Sequence, residues 1–152
     1  MRNTDRDVSR YDHPEYLHMD ESMKLFLMFA LSMPCPTCEQ GYPKEIVDSH
    51  REINRIRSHY GYPLHEFDRE LHQKAQQHAE WMARYHAYEH SGVNNEIIYR
   101  GPTSARDAFD GYWYSPAHFN VIMSGERSGH GHAVNNGVHY WATLVSSEEG
   151  IK

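Results

Sequence analysis

The chain has 152 residues, 39% of them hydrophobic and 24% charged, which fits one globular domain with its own core and not a disordered polymer. Fifteen Lys and Arg against 21 Asp and Glu give a formal charge of −6, so no positive excess waits for a phosphate backbone and nucleic acid is excluded as a main partner. Two cysteines are too few for a disulfide scaffold or a four-cysteine zinc site, and no stretch approaches the roughly 20 apolar residues that span a bilayer.

Residues 1–22 are polar and aperiodic and read as a mobile tail. Residues 23–43 combine a short apolar segment with a linker. Leu25–Leu31 follows Met23 and Lys24 and leads into Ala30-Leu-Ser32, which read from Met23 is a minimal export signal with a small-residue site. Read from Met1, with Asp20 and Glu21 beside it, the same run is a short N-terminal helix. The first reading predicts a secreted or cell-envelope protein, the second a cytoplasmic one. Cys35 and Cys38 would form a local disulfide after export and remain thiols otherwise.

A domain is expected over 44–147. Ile46, Ile53, Ile56 and Tyr60 share one face of a helix from about Lys44 to Tyr60, closed by Gly61 and Pro63. A second helix runs from an Asp68 cap to about Tyr88, with Leu71, Ala75, His78, Met82 and Tyr85 on its buried face. Glu96–Tyr99 reads as a short strand. Ser104-Ala-Arg-Asp107 has the form of a capping box ahead of a helix burying Ala105, Ala108, Phe109 and Tyr112. Ser115-Pro116 opens another short helix, with His118 in its first turn. Asn136-Gly137 marks a hairpin between Gly131–Val134 and Val138–Val145. Its last strand is apolar on both faces and so requires cover on both sides. The pattern predicts an α+β domain with an antiparallel sheet between helical layers.

Taken together and in order, these pieces resemble the CAP superfamily of cysteine-rich secretory, antigen 5 and pathogenesis-related 1 proteins, in its short bacterial form. The resemblance covers about Glu45 to Val145. It rests on Ile53-Asn-Arg-Ile-Arg57 with Tyr62-Pro-Leu64, Asp68-x-x-Leu71 with Ala75 and His78-Ala79, and Glu89-His90-Ser91. It continues through Asn95-Glu96-Ile97-Ile98, Ala108-Phe-x-x-Tyr-Trp113, Ser115-Pro-Ala-His118, Gly129-x-Gly131 and Tyr140-Trp141. The resemblance implies a three-layer α-β-α sandwich with a central antiparallel sheet, and a cleft lined by His90, Glu96 and His118. Two departures stand out. Asn95-Glu96-Ile97 lacks the Asn that usually follows the acid, and the second acid falls on Pro116, so a fourth cleft group exists only if Asp110 or another acid swings in.

Two imidazoles and a carboxylate suit a divalent cation, zinc foremost. His90 and His118 would ligate it, with Glu96 as third ligand or general base. Three functions follow: a binding module for a cation, a small or lipid-like ligand or a cell-envelope partner; a metal-assisted, peptidase-like hydrolase on the same cleft; or a structural domain in which the three residues form a hydrogen-bonded staple. Binding without turnover is preferred, in a monomer, because no nucleophile with a matched base is visible, Ser91 and Ser115 being neighbours of histidines in sequence alone. Thirteen His are present. His130-Gly-His132 would share a strand face and is read as an exposed, glycine-flanked hairpin more readily than as a second metal site. His72, His78, His86 and His139 are read as unpaired face residues. Tyr85, Tyr88, Tyr99, Tyr112, Trp113, Tyr114, Tyr140 and Trp141 are expected mostly in the core.

Overall fold

Residues 41–146 are described by the computed structural model. The tail, the possible export signal and the cysteine pair lie outside them. Helix α1 (Lys44–His59) buries Ile46, Ile53 and Ile56, as their spacing predicts. Helix α2 (Arg69–Tyr85) begins at an Asp68 cap whose Oδ1 accepts from the amides of Glu70 and Leu71 at 2.8 and 3.0 Å. It stops three residues before the expected end because His86 turns left-handed, with φ 52°. Tyr88 therefore falls beyond the helix, and Tyr85, its last residue, is not in the core: they are 52% and 61% exposed.

Strand β1 (Glu66–Phe67), which no periodicity announced, precedes α2. Strand β2 (Glu96–Arg100) follows it, then helix α3 (Ala105–Trp113) and helix α4 (Pro116–Met123). The Ser104 cap forms as predicted, accepting from Asp107 N at 3.2 Å while its hydroxyl donates to Asp107 Oδ2 at 2.6 Å. Strands β3 (Arg127–Asn135) and β4 (Val138–Ser146) meet at the Asn136-Gly137 turn, where both residues have the positive φ that this hairpin demands. The sheet order is β1-β3-β4-β2. All neighbours are antiparallel except β1, which adds a parallel edge to β3.

Alternation along the strands separates two cores. Ile98, Tyr140, Ala142 and Leu144 pack on Leu71, Ala75, Ala79 and Met82 of α2. Ile97 and Val145 point the other way, toward Ile53 and Ile56 of α1, Phe109 and Tyr112 of α3 and Ile122 of α4. Residues 140–145 of β4 are all buried, as expected of a strand covered on both faces. These layers make the α-β-α sandwich. On β3 the α2 layer comes so close that a Cβ at Gly129 would lie 2.0 Å from the His72 amide nitrogen, and one at Gly131 2.2 Å from the Ala75 carbonyl oxygen. Only glycine admits that approach.

Arg57 ties three elements together. Its guanidinium donates to the carbonyls of Pro63 (2.6 Å), Ile122 (2.7 Å), Ser124 (2.9 Å) and Gly125 (3.2 Å). It thus caps the C-terminal end of α4, where unpaired carbonyls and the helix dipole favour a cation.

Candidate functional site

Glu96 opens β2, the edge strand opposite β1, and its side chain is 1% exposed. A carboxylate so deep needs donors. The Ser91 amide supplies one at 2.7 Å to Oε2, and the His90 ring meets the same oxygen through Nδ1 at 3.1 Å. The sequence forces this convergence locally: α2 ends at Tyr85, and the loop with Gly92 at φ 86° and Asn95 at φ 57° folds 90–91 back over the start of β2. His90 itself is 54% exposed. With Nδ1 held by the carboxylate, the neutral ring carries its proton there and turns the lone pair of Nε2 outward.

His78, which the sequence reading left as an unpaired face residue, belongs to this site. Its Nε2 lies 3.6 Å from Glu96 Oε1 and donates to the Glu89 carbonyl at 3.0 Å, while its ring stacks on Trp81. The spacing already put His78 on the buried face of α2; the sequence did not show that Glu96, two residues before Ile98, projects on the side of the sheet that this face covers. Glu96 Oε1 is buried without a hydrogen bond.

His118 comes from the other side of the sheet. In the first turn of α4 it packs edge-on against Tyr112 at 5.4 Å, and its Nδ1 and the Tyr112 hydroxyl are both buried without partners. Burial, and after it the positive charge that neighbouring His90 can carry, lower the His118 pKa and keep the ring neutral. His90 therefore contacts Glu96 directly and acts on His118 through its charge. Among the described residues no three His, Cys, Asp or Glu side chains are grouped to hold a metal ion. Glu96 gives Oε2 to His90 and Ser91 and keeps Oε1 without a hydrogen bond. Asp110 does not swing in: it meets Arg55 of α1 at 3.5 Å. Ser91 Oγ accepts from the Val93 amide at 3.3 Å, a turn contact.

Other histidines depart from expectation. His130 is not on an exposed hairpin but fully buried, because glycines on either side leave the α2 face of β3 bare and send the His130 ring into the α1 core. His132 and His139 pair at 2.9 Å and stack beside Trp141, His72 Nδ1 meets the His130 carbonyl at 2.6 Å, and His86 lies 3.4 Å from Asn135. Of the tyrosines, Tyr112 and Tyr140 are core, whereas Tyr114 is 83% exposed.

A sandwich of this topology, with a histidine-covered carboxylate on its edge strand, defines a class that the sequence comparison names. The model of the CAP, or cysteine-rich secretory protein, family matches residues 50–146, and the chain belongs to that family. No curated protein matches the sequence. An outer surface protein from Borrelia burgdorferi is similar in structure, with a TM-score of 0.55 and 15% identity over 62% of this chain and 85% of its own. An extracellular SCP-domain protein from Bacillus anthracis also gives 0.55, with 17% identity over 74% of this chain and 44% of its own. This chain thus spans less than half of the Bacillus protein.

Proposed function

We propose that the protein is an exported CAP domain that binds a small ligand or a divalent cation, zinc foremost, through His90 and His118, without turnover. One observation carries this reading: His90, half in solvent, is held through Nδ1 by a carboxylate that is itself out of solvent. A carboxylate behind an imidazole fixes its tautomer and orientation and presents Nε2 to whatever arrives. Glu96 is then the orienting group for His90 rather than a ligand, and the unpaired His118 Nδ1 and Tyr112 hydroxyl are polar groups a ligand would satisfy. A bound cation would supply Lewis acidity; the residues of this chain would supply position and a neutral pair of imidazoles. Export rests on the segment read from Met23 and on the outer-surface and extracellular origin of the two structural relatives.

The test is a zinc titration by calorimetry near neutral pH, in a background where His13 and His18 are alanine and Cys35 and Cys38 are serine. One-to-one binding is expected. His90→Ala should abolish it, and Glu96→Gln, acting through His90, should weaken it about 10-fold or more. Equal isotherms in all three proteins, or none in any, would end the proposal in favour of a hydrogen-bonded staple.

A further inference from the structure

Three histidines from three segments meet between α1 and the sheet. His50 of α1, His65 in the lead-in to β1 and His130 of β3 are 2%, 3% and 0% exposed. Their hydrogen bonds fix which nitrogen carries the proton. The Asn54 amide nitrogen, which only donates, lies 3.1 Å from His50 Nε2, so that nitrogen accepts and Nδ1 bears the hydrogen. His50 Nδ1 then faces His130 Nε2 at 3.4 Å, with the Ser128 hydroxyl within 3.3 Å of both. His130 Nε2 accepts, and its Nδ1 donates to Thr143 Oγ1 at 3.0 Å. His65 donates from Nε2 to the Ser124 carbonyl at 2.8 Å, which leaves its Nδ1 buried and unpaired. Asn54 closes the circuit, exchanging bonds with both backbone groups of His65.

As neutral imidazoles His50 and His130 have both ring nitrogens paired, and His65 keeps one buried nitrogen without a partner. One more hydrogen on His50 would face the Asn54 amide and on His130 the His50 N–H; backbone carbonyls near His50 and His65 favour a proton there, but burial outweighs them. The charged and titratable groups that act on the rings are His65 on His50, Arg57 of α1 on His65, and His50, His65 and His72 of α2 on His130, all cationic or neutral. Phe67 of β1 and Phe109 of α3 supply the aromatic walls. No carboxylate is among these groups.

We propose that this cluster is an acid-release latch: it holds α1 and the β1 lead-in to the sheet while its three imidazoles are neutral, and protonation in mildly acidic surroundings lets α1 come away while the α2 side of the sandwich stays folded. The two cores sit on opposite faces of the sheet, which is what allows one side to open alone. Burial lowers the pKa of His50 and of His65 to about 4 and that of His130 well below its usual value. The open state, with ordinary histidines, takes up protons first as pH falls below about 6.5.

Hydrogen exchange of the full chain at pH 7 and pH 5, corrected for intrinsic rates, tests this. Amides of residues 50–57 should exchange at least 10-fold faster at pH 5, with those of residues 75–82 and 140–145 unchanged. No acceleration, or an equal one throughout, would overturn the latch. His50→Gln keeps a donor and an acceptor but does not titrate, and should reduce the acceleration at least 3-fold; an undiminished effect counts against the proposal. Should that variant fail to fold, the wild-type ring signals decide. The three rings should stay neutral until α1 opens, and titration near pH 6.5 with α1 still protected would refute the mechanism.

Discussion

At the scale of single residues, two buried charges sit in opposite circumstances. Arg57 is 2% exposed and donates to four carbonyl oxygens from the two chain stretches that frame it, with the Tyr62 ring 5.7 Å from its guanidinium. Its charge is balanced by dipoles at a helix end, not by an acid. Arg57→Ala should strip these carbonyls of their donor at once, and the loss in urea unfolding is expected to be about 3 kcal/mol or more. Lysine, with a single point charge in place of the fork, should recover only part of it. Glu96 is the reverse case, a buried acid whose donors come from the loop 90–91 and, at longer range, from α2. One of those donors, His90, is half exposed, so the buried acid reaches solvent only through that ring.

At the scale of elements, the contact of α2 with β3 has no slack. Gly131→Ala places a methyl group 2.2 Å from the Ala75 carbonyl oxygen, and backbone cannot step aside as a flexible side chain does. A loss of roughly 3 kcal/mol is expected, read as a large fall in Tm by calorimetry or as failure to accumulate folded protein. Gly→Ala at residue 111 is the milder control: the atoms it meets belong to the Tyr99 side chain, which can rotate. Gly129 and Gly131 together decide the histidine layout, since a strand with nothing to offer α2 on one face places Ser128 and His130 on the other.

At the scale of the molecule, stability should fall with acid for a definite reason. His50 and His65 titrate near 4 when folded and near 6.5 when unfolded, so the unfolded chain binds more protons throughout that interval. Stability is therefore full above about pH 6.5, declines as pH falls toward 4, and levels off for these groups below it. The two rings together account for a few kcal/mol. Urea midpoints measured from pH 8 to pH 4 should show this slope, and a flat profile between pH 6.5 and 5 would contradict it. In the unfolded chain, where all thirteen histidines can be protonated, the formal charge moves from −6 to +7. Among the described residues no helix is long and apolar enough to cross a membrane.

Much of this was written in local order. Helical spacing placed α1, the Asp68 and Ser104 side chains set the starts of α2 and α3, Asn136-Gly137 set the hairpin, and the order of motifs carried the family. These features depend on neighbours a few residues apart, whose chemistry a sequence shows directly. What it does not show is which face meets which. That Glu96 and His118 approach from opposite sides of an edge strand, that His78 stands behind the first of them, and that His50, His65 and His130 close on one another across 80 residues follow from strand register and from a helix seated on two glycines. Those are long-range contacts, and only the packing of the layers decides them.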